Sequence, residues 1–168
     1  NEHYDLLGGK ASALARLSQT HCRIPQWFAV TDDDTSTRET INECAKKLAC
    51  DFFAVRSSAR GEDGATHSFA GQYDTFLYVK LNDLHDRIQR VHQSNHSEHL
   101  RSYQDSKKIA QIQRPTALVQ HMLHPEVSGV AFSADPVSGR RQHCLVSALW
   151  GTGSALVSGE ADADTWTI

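Results

Sequence analysis

At 168 residues, 39% hydrophobic and 22% charged, the chain has the length and apolar content of one globular domain or of two small lobes sharing a core. Its formal charge of −3 argues against nucleic acid or an anionic membrane as the main partner, and no apolar run nears the roughly 20 residues of a membrane span. The four cysteines, Cys22, Cys44, Cys50 and Cys144, include no C-x-x-C pair. Their spacing therefore fits reduced thiols in a cytoplasmic protein better than a zinc knuckle or a dithiol motif.

The first helix is expected from Gly9 to Leu17, where Ala11, Leu14, Ala15 and Leu17 recur at helical spacing. Ile24-Pro25 breaks the pattern, and Trp27-Phe28-Ala29-Val30 reads as a buried strand. The polar run Asp32 to Thr37 supplies N-capping residues for a helix from Arg38 to Leu48. Short strands at Phe52–Val55 and Thr75–Val79 flank a small-residue loop with three glycines. Leu81 to Gln104 reads as a long amphipathic helix with Leu84, Ile88, Val91 and Leu100 on its apolar face.

Along that helix His85, His92, His96 and His99 include i,i+3 and i,i+4 pairs, but no H-E-x-x-H run accompanies them. A solvated helix face is the expected explanation. Further strands are expected at 116–122, 129–133 and 144–149, then a loop-to-helix transition at Trp150–Ser154 and a last extended stretch at 165–168. Strands outnumber helices and few are joined by a crossover helix. The predicted class is therefore α+β with largely antiparallel pairing. The expected division is an N-terminal lobe over 1–115, then a hinge and part of a second lobe over 116–168.

The candidate chemistry gathers around phosphate. Arg56 leaves the end of a buried strand directly before Ser57-Ser58 and the glycine loop. An arginine fork with backbone amides freed by glycine supplies fixed donors for phosphate oxygens. An internal salt bridge to Glu62, Asp63 or Asp74 is the competing explanation. Lys10 follows Gly8-Gly9 and opens a helix. There a flexible cation stands beside amides at a positive helix end, although an ordinary solvated lysine has the same sequence. Gly71 lets a backbone approach a ligand and Thr75 offers a hydroxyl, or the two form a plain hairpin entry. Gln120 and the backbone beyond it could read an adenine edge with Met122 packed on the ring, against a core position for Met122. Glu126 could accept from ribose hydroxyls or sit solvated at a turn.

These pieces, in this order, resemble the N-terminal nucleotide-binding domain of the phosphoenolpyruvate synthase and pyruvate phosphate dikinase family, over nearly the whole chain. The resemblance is carried by Gly8-Gly9-Lys10-Ala11, Pro25 with Phe28-Ala29-Val30-Thr31, Val55-Arg56-Ser57-Ser58-Ala59 and Ser68-Phe69-Ala70-Gly71-Gln72-Tyr73-Asp74-Thr75-Phe76-Leu77. Val119-Gln120-His121-Met122, Gly129-Val130-Ala131-Phe132, Asp135-Pro136-Val137-Ser138-Gly139 and Trp150-Gly151-Thr152-Gly153 complete it.

The resemblance implies an ATP-grasp fold in which two lobes close on ATP and Mg²⁺. It implies that Lys10 and Arg56 contact phosphates, with Ser57, Ser58 and the loop to Ala65 covering them. Gly71 and Thr75 would line the same pocket, and Gln120 with Met122 would sit at the adenine hinge. Glu126 stands outside this carry-over, as a candidate nucleotide contact read from the residue alone. The family passes the β-phosphate of ATP to a histidine on a separate swivelling domain and from there to pyruvate or another acceptor, and the full enzyme is expected to dimerise. The Ser68–Gln72 form looks like that of phosphoenolpyruvate synthases and rifampicin phosphotransferases. The family's metal ligands, a run resembling E-F-x-x-x…L-Q-x-R, are not found in this sequence, nor is the histidine motif, so no metal ligand is assigned. The alternatives are a different phosphate acceptor, or a non-catalytic nucleotide-binding or regulatory module.

Overall fold

The computed structural model describes residues 7–32, 37–59, 75–94, 115–136 and 138–168. Two compact units divide it, Asn1–Met122 and Leu123–Ile168.

The first unit begins with α1 (Gly8–Leu17). Its last carbonyls are satisfied locally: Ser18 donates its amide to Leu14 O and its hydroxyl to Ala15 O. β1 (Trp27–Val30) follows. α2 (Arg38–Lys47) opens on a side-chain cap, with the Thr40 amide donating to Thr37 Oγ1 at 3.3 Å, as the polar run before it predicts. The Glu39 carboxyl in this first turn is held below its usual range, chiefly by its own backbone amide and then by the Thr37 side chain.

β2 (Phe53–Ser58) and β3 (Thr75–Val79) pair antiparallel, with an irregularity that shifts their register between Phe53 and Val55. Tyr78, in the β3 stretch facing that shift, has φ of +55° and meets the Phe52 ring edge-on at 6.0 Å. α3 (Leu81–Gln93) presents Leu84, Ile88, Val91 and His92 as one buried stripe, the i, i+4, i+7, i+8 pattern of a core-facing helix. The rest of the expected 81–104 helix, with His96 and His99, lies outside the described residues.

His92 corrects the expectation of a solvated histidine face. It is 5% exposed, and its Nε2 lies 3.0 Å from Val30 O, tying α3 to the end of β1.

β4 (Thr116–His121) completes a four-stranded sheet ordered β1-β4-β2-β3. Because β4 lies between β1 and β2 and pairs antiparallel with both, residues 116–122 belong to the first compact unit, whereas the expected division came after residue 115. One sheet face carries Phe53, Val55, Ala117 and Val119 and packs on Ile41 and Ala45 of α2 and Leu84, Ile88 and Val91 of α3. That is the core.

The second unit is a three-stranded antiparallel sheet of β5 (Val127–Phe132), β6 (Leu145–Trp150) and β7 (Asp164–Thr167) in that order. A short helix α4 (Ser154–Ser158) connects β6 to β7 and ends on Gly159, whose φ of +71° closes the turn. Two mainly antiparallel sheets with helices bear out the α+β class. No helix among the described residues is long and apolar enough to cross a membrane.

Candidate functional site

The opening of α1 is docked on the end of β2. Leu7 at the N-cap position makes no side-chain cap bond, and the first turn holds no acidic residue. The helix amides find their partners across the chain instead. Ala11 N–H donates to Ser58 Oγ at 3.0 Å, Gly9 N–H donates to Ala59 O at 3.1 Å, and the Ser58 hydroxyl donates to Leu7 O at 2.7 Å. Gly8 has φ of +77°, and a Cβ there would stand 2.2 Å from Ser58 O, so both conformation and space require glycine.

At this helix end the Gly9 amide is taken by Ala59 O and the Ala11 amide by Ser58 Oγ. Lys10, half-buried, sits between these two anchored residues.

Strand register decides which candidates share a surface. Residues paired across an antiparallel sheet point to the same face, and alternate residues along a strand to opposite faces. Arg56 pairs with Thr75 on one side and Leu118 on the other; Ala54 pairs with Gln120, which pairs with Trp27. Arg56, Ser58, Thr75, Gln120 and Trp27 thus lie on one face, opposite the core. Trp27 was not anticipated there. Sequence shows a strand at 27–30, but only the pairing to Gln120 tells which face its tryptophan takes.

Arg56 is half-buried, and its buried Nε has no hydrogen-bond partner among the described residues. A buried donor left unmade costs about 1–3 kcal/mol, so this guanidinium is chemically suited to an anion that would complete it. Glu62, Asp63 and Asp74, the carboxylates weighed as internal partners, lie outside the described residues, as do Gly71 and the glycine loop. No ion pair to Arg56 is present among the described residues.

The other candidates fall elsewhere. Ser57 pairs with Ala117 on the core face and is 1% exposed, so strand alternation turns it away from Arg56. Ser58 shares the Arg56 face, but its hydroxyl is engaged as donor and acceptor by α1. Met122 is 7% exposed and its amide donates to Phe52 O at 3.0 Å, while the His121 amide donates to Gln26 O at 2.9 Å. The backbone just beyond Gln120 is thus committed to the first unit, and Met122 occupies the core position weighed against its adenine role. The half-buried Gln120 side chain keeps its place on the Arg56 face.

Glu126 is exposed and belongs to the second unit. There its carbonyl accepts from Gly151 N–H at 2.7 Å, and Ser128 Oγ donates to Gly151 O at 2.7 Å. These bonds lock the Trp150–Gly153 turn over the start of β5.

A cavity of about 310 Å³ lined by Lys46, Ala49, Cys50, Asp51, Phe53 and Leu81 among others contains none of the candidate residues. Burial pushes the Cys50 thiol above its usual range. Among the described residues no group of three or more histidine, cysteine, aspartate or glutamate side chains comes together as a metal would need.

Comparison with known proteins gives this geometry a context. Residues 34–168 match the family described as the pyruvate phosphate dikinase AMP/ATP-binding domain. The chain is 39% identical to the prodigiosin synthesizing transferase PigC of Serratia marcescens, covering 96% of this chain and 22% of that protein. It is 42% identical to a rifampicin phosphotransferase of Streptomyces sviceus over 93% of this chain and 18% of that one. To the phosphoenolpyruvate synthase of Pyrococcus furiosus it is 34% identical, over 82% of this chain and 18% of that protein. The chain thus spans about a fifth of the length of these relatives. With four-fifths of its residues inside the matched domain and the motif series it was read from, the chain belongs to the pyruvate phosphate dikinase AMP/ATP-binding domain family.

Proposed function

We propose that this chain holds the phosphates of ATP for a phosphoenolpyruvate synthase-like dikinase. In that reaction a histidine on another domain takes the β-phosphate, water takes the γ-phosphate as free phosphate, AMP leaves, and pyruvate receives the phosphate from the histidine. The observation that carries the proposal is Arg56: a guanidinium whose buried Nε has no partner among the described residues, on the sheet face that also bears Thr75 and Gln120. Phosphoryl transfer asks mainly for positioning and for positive charge around the transferred group. Arg56 supplies a fixed fork of donors, Lys10 a point charge on a flexible stem, Thr75 a hydroxyl and Gln120 an amide for a base edge. Magnesium, when bound, would neutralise phosphate charge; no group of three or more histidine, cysteine, aspartate or glutamate side chains gathers for it among the described residues.

A second acceptor is favoured by one observation. Identity to the rifampicin phosphotransferase, 42% over 93% of this chain, exceeds that to the phosphoenolpyruvate synthase, 34% over 82%. Offering pyruvate and rifampicin in turn to the complete protein with ATP, and following AMP release, separates the two acceptors.

The test of the binding role is calorimetric titration of this chain with ATP, with and without Mg²⁺, beside Arg56→Ala. A charge-assisted contact is worth about 1.5–3 kcal/mol, so the variant should bind about tenfold or more weakly. Equal affinity in a variant that still unfolds cooperatively would remove Arg56 from the site.

A further inference from the structure

We infer that Ser58 is a positioning residue for Lys10. It acts as the N-terminal cap of α1 from a strand far along the chain, and so fixes the lysine's helix to the strand that carries Arg56. The inference rests on the phosphate-binding role proposed for Lys10.

Helix α1 begins without the devices helices normally use. Leu7 gives no side-chain cap bond and no acidic residue stands in the first turn, although the first four amides of a helix need partners from outside it. The Ala11 amide, at the end of the first turn, donates to the Ser58 hydroxyl, 47 residues away in sequence. The same oxygen carries a proton that it gives to Leu7 O. One hydroxyl therefore grips the chain on both sides of Lys10, and only a group that is donor and acceptor at once can do so. Gly9 N–H to Ala59 O adds a third tie.

The close approach at Gly8, where a Cβ would meet Ser58 O at 2.2 Å, shows that the two backbones are pressed together at this point. Ser58 itself is 1% exposed, which suits an internal clamp better than a direct ligand contact. The consequence is a division of labour within the serine pair. Ser57 faces the core, and Ser58, two strand positions from Arg56, acts through α1 on the placement of Lys10.

The experiment is a double-mutant cycle of Ser58→Ala and Lys10→Ala in this chain, with ATP affinity measured by calorimetry and amide exchange followed at Ala11. Ser58→Ala should speed exchange at Ala11 while the β2–β4 ladder stays protected, and should weaken ATP binding about fivefold, the usual size of a lost helix cap. In the Lys10→Ala background the same change should cost nothing further. Ser58→Thr, which keeps the hydroxyl, should restore both Ala11 protection and affinity.

Unchanged exchange at Ala11 in Ser58→Ala would overturn the cap. A fivefold loss that persists undiminished without Lys10 would overturn action through Lys10. Wild-type affinity in Lys10→Ala, with Ala11 exchange still raised by Ser58→Ala, would instead overturn the phosphate role of Lys10 and with it the purpose assigned to the clamp.

Discussion

The unit ending at Met122 encloses a cluster of buried side chains from α2, α3 and all four strands, with Val55, Leu84, Ile88, Val91, Ala117 and Val119 at or near complete burial. The unit from Leu123 has no buried side chain among its described residues. Its register instead puts Val127 and Trp150, and Val146 and Trp166, on one sheet face, with Trp150 82% and Trp166 50% exposed. The first unit is held by packing. The second is held by strand ladders and by the turn that Ser128 and Glu126 lock. The difference teaches that the residues proposed to grip phosphate stand on the unit with a core of its own, where side-chain positions are fixed by neighbours on the far side of the same sheet.

The strongest way to break that comparison is Leu84→Ala. Leu84 is 0% exposed, and emptying such a site costs about 2–5 kcal/mol; urea unfolding should show the loss as a lowered midpoint. Ala49→Gly sharpens it in the opposite direction. Ala49 follows the end of α2 with φ of +49°, a left-handed conformation that glycine adopts without the Cβ penalty. The variant should gain about 0.5–1 kcal/mol in the same measurement. Trp150→Ala should change stability by less than about 0.5 kcal/mol, as surface positions do. A loss at Trp150 as large as that at Leu84 would show the second unit to depend on a packed face after all.

Much of this architecture is written locally. The Thr37 cap, the bounds of β3 and the apolar stripe of α3 follow from turn chemistry and periodicity, which act between residues a few places apart. What could not be read is what depends on distant partners. Nothing near Thr116 says that its strand will lie between β1 and β2 rather than begin a new lobe. His92 has the spacing of a surface histidine, yet the end of β1 supplies the carbonyl that makes it a buried one. Lys10 and Arg56 were legible as candidate cations because their residue types and flanking glycines are local facts. The separation of Ser57 from Ser58 was not, since it requires knowing that β2 runs through Ser58 and which face α1 covers. The glycine loop is where local legibility was greatest, and Gly71 lies outside the described residues.

The central place of β4 carries a consequence for the order in which the protein can assemble. Trp27 and Gln120 are partners across β1 and β4, with nearly the whole first unit strung between them. A ribosome that has released the chain only as far as residue 115 has made β1 and the β2–β3 hairpin, but not the strand that stands between them. Until Thr116–His121 emerges, the apolar faces of those strands have no common sheet to join. Contacts of such long sequence separation are slow to form because loop closure precedes their reward. The nascent first unit is thus expected to remain an open template until its last strand inserts, and the Arg56 face takes shape only at that moment.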